Sequence, residues 1–321
     1  MKRSLLKSIC LALSILSFSG TSFAEKKLPD TVRTGLYVTS IHDIDFKQNE
    51  YTADLWLWLK YKNKAFDFAQ NLEIPQAKTV NKLFTTVDSS NGIYMLMKLQ
   101  LVLKDSWKIG NFPFDQQKLR LSIENSQFDS KDLVFVIDTL GNNYDPRFTL
   151  KGWAIDSFLV STGIKAYETA FGDPTEPKPH TEYSTYKVKI SIKRDASDLF
   201  WKMFLGMYVA FMISFICFYI HADNIDSRFG LSVGALFAAI GNKYIVDSAL
   251  PESTSFTLVD ALHGITLFFI FAVVTSSVYA LTLVKKNKIK EANRFDRVTS
   301  MVFLAAYILI NVYLISAAKK G

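Results

Sequence analysis

Hydrophobic and polar positions follow two regimes along the chain. From about residue 25 to 198 they alternate with period two. "ADLWLWLKY" (Ala53 to Tyr61) puts Trp56 and Trp58 on one face, and "YMLMKLQLVL", "KLRLSIEN", "DLVFVID" and "YKVKISIKR" repeat the pattern. In "KLRLSIEN", Leu119, Leu121 and Ile123 fall on one side, with Lys118, Arg120, Ser122 and Glu124 on the other. Such alternation marks half-buried strands, and turn signals ("SSNG", "GNN", "GDPTEPKP") separate them. No helix of useful length is expected in this half, and many short strands with regular turns predict two stacked sheets. After Leu199 long apolar runs take over, at about 199–220, 228–247, 258–283 and 298–317, each long enough to cross a bilayer as a helix. The predicted fold class is an all-β sandwich (25–198) followed by a four-helix transmembrane bundle (199–321).

The N-terminus has its own pattern. Lys2, Arg3 and Lys7 precede a short apolar core, Leu11 to Phe18, and Ser22-Phe23-Ala24 is a small-x-small cleavage pattern. Residues 1–24 therefore read as a secretory signal peptide. Its loss removes three basic residues and no acidic ones, taking the net charge from +7 to +4. That balance gives no reason to expect a nucleic acid partner. Of the two cysteines, Cys10 leaves with the signal and Cys217 lies in an apolar run, so the exported half forms no disulfide.

The second apolar run differs from the others. Between Arg228 and Pro251 it carries Gly230, Ser232, Gly234, Gly241, Asn242 and Lys243. Polar residues at membrane depth face protein or water. Two readings stay open: a helix packed inside a bundle through its glycines, or a helix lining a water-filled path. Orientation follows from Lys285, Lys286, Lys288, Lys290, Arg294 and Arg297 between the third and fourth runs, set against "DSALPESTSFT", which has no basic residue. The positive-inside rule puts the first segment in the cytoplasm and the sandwich outside. No Ser/His/Asp order, Cys/His metal spacing or phosphate-binding glycine loop suggests an enzyme.

The motif "FPFDQQ" (Phe112 to Gln117) resembles the signature loop of the pentameric ligand-gated ion channels. Leu119 and Asp105 stand where the animal branch has two cysteines, so the chain resembles the prokaryotic branch, which lacks that bridge. "KGWAIDSF" (Lys151 to Phe158), Arg194 before the first helix and "ALP" (Ala249 to Pro251) agree in order with the same family. Gly206 stands where the family often has proline in the first helix.

The resemblance implies a homopentamer in a lipid membrane, passing cations and opened by a small-molecule agonist or by protons. It implies a pore lined by Asp226, Gly230, Gly234, Phe237, Gly241 and Tyr244, with Phe237 as an apolar constriction and Asp226 at the cytoplasmic mouth, just below the helix. It implies a coupling zone of Asp43, Asp45, Phe112, Pro113, Phe114, Asp115, Arg194 and Pro251. There Phe112 and Phe114 would press on the helix ends, and Arg194 would pair with Asp115 or with Asp43 or Asp45. It implies an agonist pocket behind a hairpin at 167–186, walled by Tyr167, Phe171, His180 and Tyr183 with Trp58 of a neighbouring subunit. An aromatic cage of that kind would suit an amine. No resident metal is expected, calcium at Asp43, Asp45 and Glu50 being the one candidate. The rival reading is a non-conducting membrane receptor for a solute or partner.

Overall fold

A computed structural model describes residues 28–172, 174, 179–252 and 254–320. The expected signal peptide lies outside these. The alternating segments form β1 (Asp30–Asp45), β2 (Glu50–Tyr61), β3 (Leu72–Glu73), β4 (Ala77–Asp88), β5 (Ile93–Lys104), β6 (Gln116–Asn125), β7 (Leu133–Ile137), β8 (Asn143–Tyr144), β9 (Trp153–Tyr167) and β10 (Thr181–Arg194). One sheet runs β4-β5-β2-β1-β7, with β8 also on β1; the other runs β3-β6-β10-β9. β1 pairs antiparallel with β2 and parallel with β7. Period-two burial builds the core between the sheets: Leu55, Leu57 and Leu59 of β2 and Met97, Leu99 and Leu101 of β5 are sealed, facing Leu119, Leu121 and Ile123 of β6 and Val188, Ile190 and Ile192 of β10. A single helical turn, α1 (Phe68–Asn71), interrupts the strands.

The apolar runs form α2 (Ser197–Phe215, prolonged by a 3-10 turn Ile216–Tyr219), α3 (Ile225–Ser248), α4 (Leu258–Lys285) and α5 (Ile289–Lys320). All four are long and apolar enough to cross a membrane. Two starts differ from expectation. α3 begins at Ile225, so Asp226 lies in its first turn rather than below it. α5 begins well before residue 298 and takes up Lys290, Arg294 and Arg297, leaving only a tight turn after Lys285. Hydropathy marks membrane depth and not helicity, and this charged stretch is rich in good helix formers. Aromatic packing joins the bundle: Phe211 of α2 stacks on Tyr307 of α5 with ring centroids 3.7 Å apart, and Phe269 of α4 lies edge-on to Tyr307 at 5.5 Å.

Candidate pore and coupling site

α3 has two chemically distinct sides. Arg228, Ser232, Ala235, Ala239 and Val246 are buried against the rest of the bundle. The opposite side carries Asp226, Gly230, Gly234, Phe237, Gly241 and Tyr244 at three- and four-residue spacing, all exposed. Phe237 is 68% exposed and Tyr244 76%. Nothing lies within 4 Å of where a Cβ would stand on Gly230, Gly234 or Gly241, so these glycines make no helix contact within the chain.

Arg228, Asn242 and Lys243 of α3, outside this stripe, are engaged by the chain itself. The Arg228 guanidinium is buried, donating to Ile220 O at 3.1 Å and forking onto the Asp296 carboxylate of α5. Asn242 donates to Met203 O of α2 at 3.0 Å, and its Oδ1 lies 3.0 Å from His263 Nε2 of α4. Gly206 permits this approach: a Cβ there would sit 3.1 Å from the Asn242 amide. Lys243 pairs with Asp247 and Asp260, at 2.6 and 2.8 Å.

Where sandwich meets bundle, Arg194 ends β10 and is largely buried. Its guanidinium lies 4.0 Å from the Trp153 ring centroid, 4.7 Å from Phe46 and 5.0 Å from Phe112. It donates to both oxygens of Asp115, at 2.7 and 3.2 Å. Neither Asp43 nor Asp45 pairs with it. Asp43 turns back onto His42 Nδ1 at 2.7 Å, and Asp45 accepts from Gln48 N at 2.8 Å. Those two residues line a cleft of about 440 Å³ against Ser248 and Ala249 at the end of α3. His42 also meets Asp54 at 3.2 Å; burial alone would lower its pKa, but the two carboxylates raise it.

The signature loop touches the bundle directly. Leu258 N, first in α4, donates to Gly110 O at 2.8 Å. Phe114 packs on Phe200 of α2, with centroids 5.6 Å apart, and Lys319 of α5 lies 5.0 Å from its centroid. Phe112, expected to press on the helix ends, packs instead with Phe46 and Arg194 under the sandwich. The Phe112–Pro113 peptide is cis. Pro251 lines a cleft of about 310 Å³ with Ile109 and Thr257.

Several residues here escaped the sequence reading. Trp107 stacks on Phe46 at 5.0 Å and donates through Nε1 to Asp45 O at 3.1 Å. Asp105, noted only as replacing a cysteine, accepts from Arg120 N at 3.1 Å and from its guanidinium, so an ion pair closes the base of the loop. Ser248 extends the exposed stripe of α3 one turn beyond Tyr244. The period-four spacing was a signal for Ser248; the others needed three dimensions.

In the hairpin, Tyr167, Phe171 and Tyr183 are mutually in contact, with centroids 5.6 to 6.2 Å apart. His180 does not join them: its ring nitrogens lie between Glu182, at 3.3 Å, and Glu168, at 3.6 Å. Trp58 belongs to the other sheet, donates to Asp138 at 2.9 Å and lies flat on Gly35, where a Cβ would be 2.3 Å from its ring. Within one chain it is not brought to the three rings. Glu124, predicted on the solvent face of β6, is buried and accepts from the Tyr167 hydroxyl at 2.8 Å. Burial raises its pKa, the nearby Glu73 charge adds to this, and the Tyr167 hydrogen bond opposes it. The calcium candidate fails: Glu50 is held by Lys78 and Lys104, at 2.9 and 3.0 Å. Among the described residues, no group of three or more His, Cys, Asp or Glu converges to hold a metal.

A β-sandwich bonded through an FPFDQQ loop and an Arg194–Asp115 pair to four membrane-length helices, the second with an unpartnered glycine-rich stripe, defines a class. The chain belongs to the pentameric ligand-gated channel superfamily. It is 24% identical over 310 residues to the proton-gated ion channel of Gloeobacter violaceus, covering 89% of this chain and 82% of that protein. It is 21% identical over 276 residues to the glutamate-gated chloride channel of Drosophila melanogaster, covering 76% of this chain and 57% of that one. No family model matches the sequence.

Proposed function

We propose that the chain is one subunit of a homopentameric gated ion channel, non-enzymatic, with the sandwich in the periplasm and four helices crossing a bacterial inner membrane. One observation carries the reading: the glycines, Phe237 and Tyr244 occupy the one side of α3 that its own subunit leaves bare, while the opposite side is buried. Five such faces around an axis would line a water path, with Phe237 as an apolar ring that blocks ions by excluding water. Exposed Val80, Leu83, Phe84 and Val87 on edge strand β4 support a neighbouring subunit, since open apolar edges invite pairing. Both named relatives are gated channels, one by protons and one by glutamate.

The residues Asp43, Asp45, Phe112, Pro113, Phe114, Asp115, Arg194 and Pro251 are assigned to coupling. The shortest link is the Gly110–Leu258 backbone bond, by which movement of the signature loop pulls directly on α4. The agonist pocket is assigned to Tyr167, Phe171 and Tyr183, closed by Trp58 of the adjoining subunit. Protons are the alternative stimulus. Cation selectivity rests on Asp226. The test is reconstitution of the mature chain in planar bilayers under pH steps and small amines. Currents are expected, and Phe237→Ala should raise conductance or leave the channel open at rest. Silence from a folded pentamer under every condition would favour the receptor reading.

A further inference from the structure

The base of the hairpin holds two opposed carboxylates. β3 has only two residues, and its Glu73 stands directly opposite Glu124 in the antiparallel β3–β6 register. Directly opposed side chains share one face with Cβ atoms ~4.5–5.5 Å apart, where like charges repel. Glu73 is exposed, whereas Glu124 is buried. Tyr167 of β9 reaches across β10 to donate to Glu124 at 2.8 Å, tying together two strands that are not neighbours in the sheet. Thr185 of β10, sealed, turns its hydroxyl toward Glu124 without completing a hydrogen bond.

Among the described residues, no cation forms an ion pair with Glu73 or Glu124. Lys165 of β9 is near, but its ammonium lies over the Tyr167 ring, 5.6 Å from the centroid. Tyr183 of β10 also faces the two carboxylates, and Asp129, on its far side, is met by Lys131. His180 stands between Glu168 and Glu182. We propose that Glu73 and Glu124 share one proton, and that this proton sets how tightly the hairpin is held to the sandwich, making pH a modulator of the agonist pocket. With both carboxylates ionised, their repulsion falls on a strand of two residues, and a buried charge without a cation draws in water. Water reaches Glu124 by loosening Tyr167. With the proton in place the repulsion is gone, the Tyr167 bond remains, and the carboxyl O–H has Thr185 Oγ1 as an acceptor. Burial, and then the Glu73 charge, hold the Glu124 pKa above its ordinary value against the Tyr167 hydrogen bond. The proposal rests on the reading of Tyr167, Phe171 and Tyr183 as the agonist pocket.

Amide hydrogen exchange of the purified full chain, corrected for intrinsic rates and followed across the carboxylate pH range, tests this. Amides flanking Tyr167 and Tyr183 should exchange faster than those of β1 and β2, by local opening. Their protection should fall as pH rises from the ordinary carboxylate value to the raised one, by at most about tenfold per pH unit, the limit for one proton, and then level off. Glu124→Gln should abolish the slope. Glu73→Gln should shorten it from its upper end, because burial still acts on Glu124 when the like charge is gone. His180→Gln should keep it. A flat wild-type profile, or a slope that survives Glu124→Gln, would overturn the proposal. So would a slope lost in His180→Gln, which would make the histidine the switch, or hairpin amides that exchange no faster than β1 and β2. The exchange needs no current, so these outcomes stand apart from the agonist-pocket reading, which the amine responses in bilayers decide.

Discussion

Arg194 is held by two kinds of attraction at once, a forked pair with Asp115 and the faces of Trp153, Phe46 and Phe112. Its partner is fully buried, so removing the cation strands a carboxylate out of water. Arg194→Ala should cost ~3–5 kcal/mol of stability, the range for breaking a buried pair from one side. Arg194→Lys should recover only part, because an ammonium neither forks nor stacks flat. Apparent Tm ranks the three proteins, and ordinary gating in Arg194→Ala would remove the residue from the coupling path. Glu124 gives the pH prediction. Its folded pKa lies above the ordinary 4.5 because it is buried, so the folded state binds the proton more tightly than the unfolded one. Stability from this site therefore falls as pH rises from the ordinary value through the raised one. Glu124→Gln, which keeps the Tyr167 contact without the charge, should flatten that slope in Tm-versus-pH curves. At this scale the sequence offered Asp115 as one partner for Arg194 beside Asp43 and Asp45, and could not seat Arg194 among rings drawn from three separated segments. It placed Glu124 outward because strand alternation holds to Ile123 and fails where the hairpin folds Tyr167 over the strand end.

Elements were more readable than contacts. Strands with strict alternation emerged close to where they lie, since one face must be buried and the other not. β4 carries no legible strand signal, because it is an edge strand whose apolar side chains are exposed in the single chain and show no core-facing rhythm. The expected loop before α5 is mostly helical, because its charges mark exposure to water and not irregular backbone. For α3 the sequence offered two uses of its glycines, and the bare surface around them excludes contacts within the chain. α4 depends on its first turn. Thr257 accepts from Asp260 N, and the Asp260 carboxylate receives Thr257 N, a reciprocal cap one residue from the bond to Gly110. Thr257→Ala should cost ~0.5–2 kcal/mol as a lost cap. Because the frayed turn carries Leu258, it should also weaken coupling. Apparent Tm and the stimulus needed for half-maximal current should move together; a Tm loss with an unchanged response would make the cap structural only.

At the scale of the whole molecule, selectivity in the proposed homopentamer would depend on what a single chain does not show, the sum of five faces around an axis. On the bare stripe of α3, Asp226 is the charged residue; Gly230, Gly234, Phe237, Gly241 and Tyr244 carry none. The basic residues nearby are turned away, Arg228 into its pair with Asp296 and Lys243 onto Asp247 and Asp260. A ring of five carboxylates at the mouth would concentrate cations and repel anions with no fixed positive charge on the stripe to offset it. The superfamily itself does not decide the sign, since the Drosophila relative is a chloride channel. Under a sodium chloride gradient the wild-type current should reverse near the sodium potential. Asp226→Asn should move the reversal toward zero while leaving the Phe237→Ala effect on conductance intact. A wild-type reversal near the chloride potential would reject Asp226 as the filter yet keep α3 as the pore, because Phe237 would still control the current.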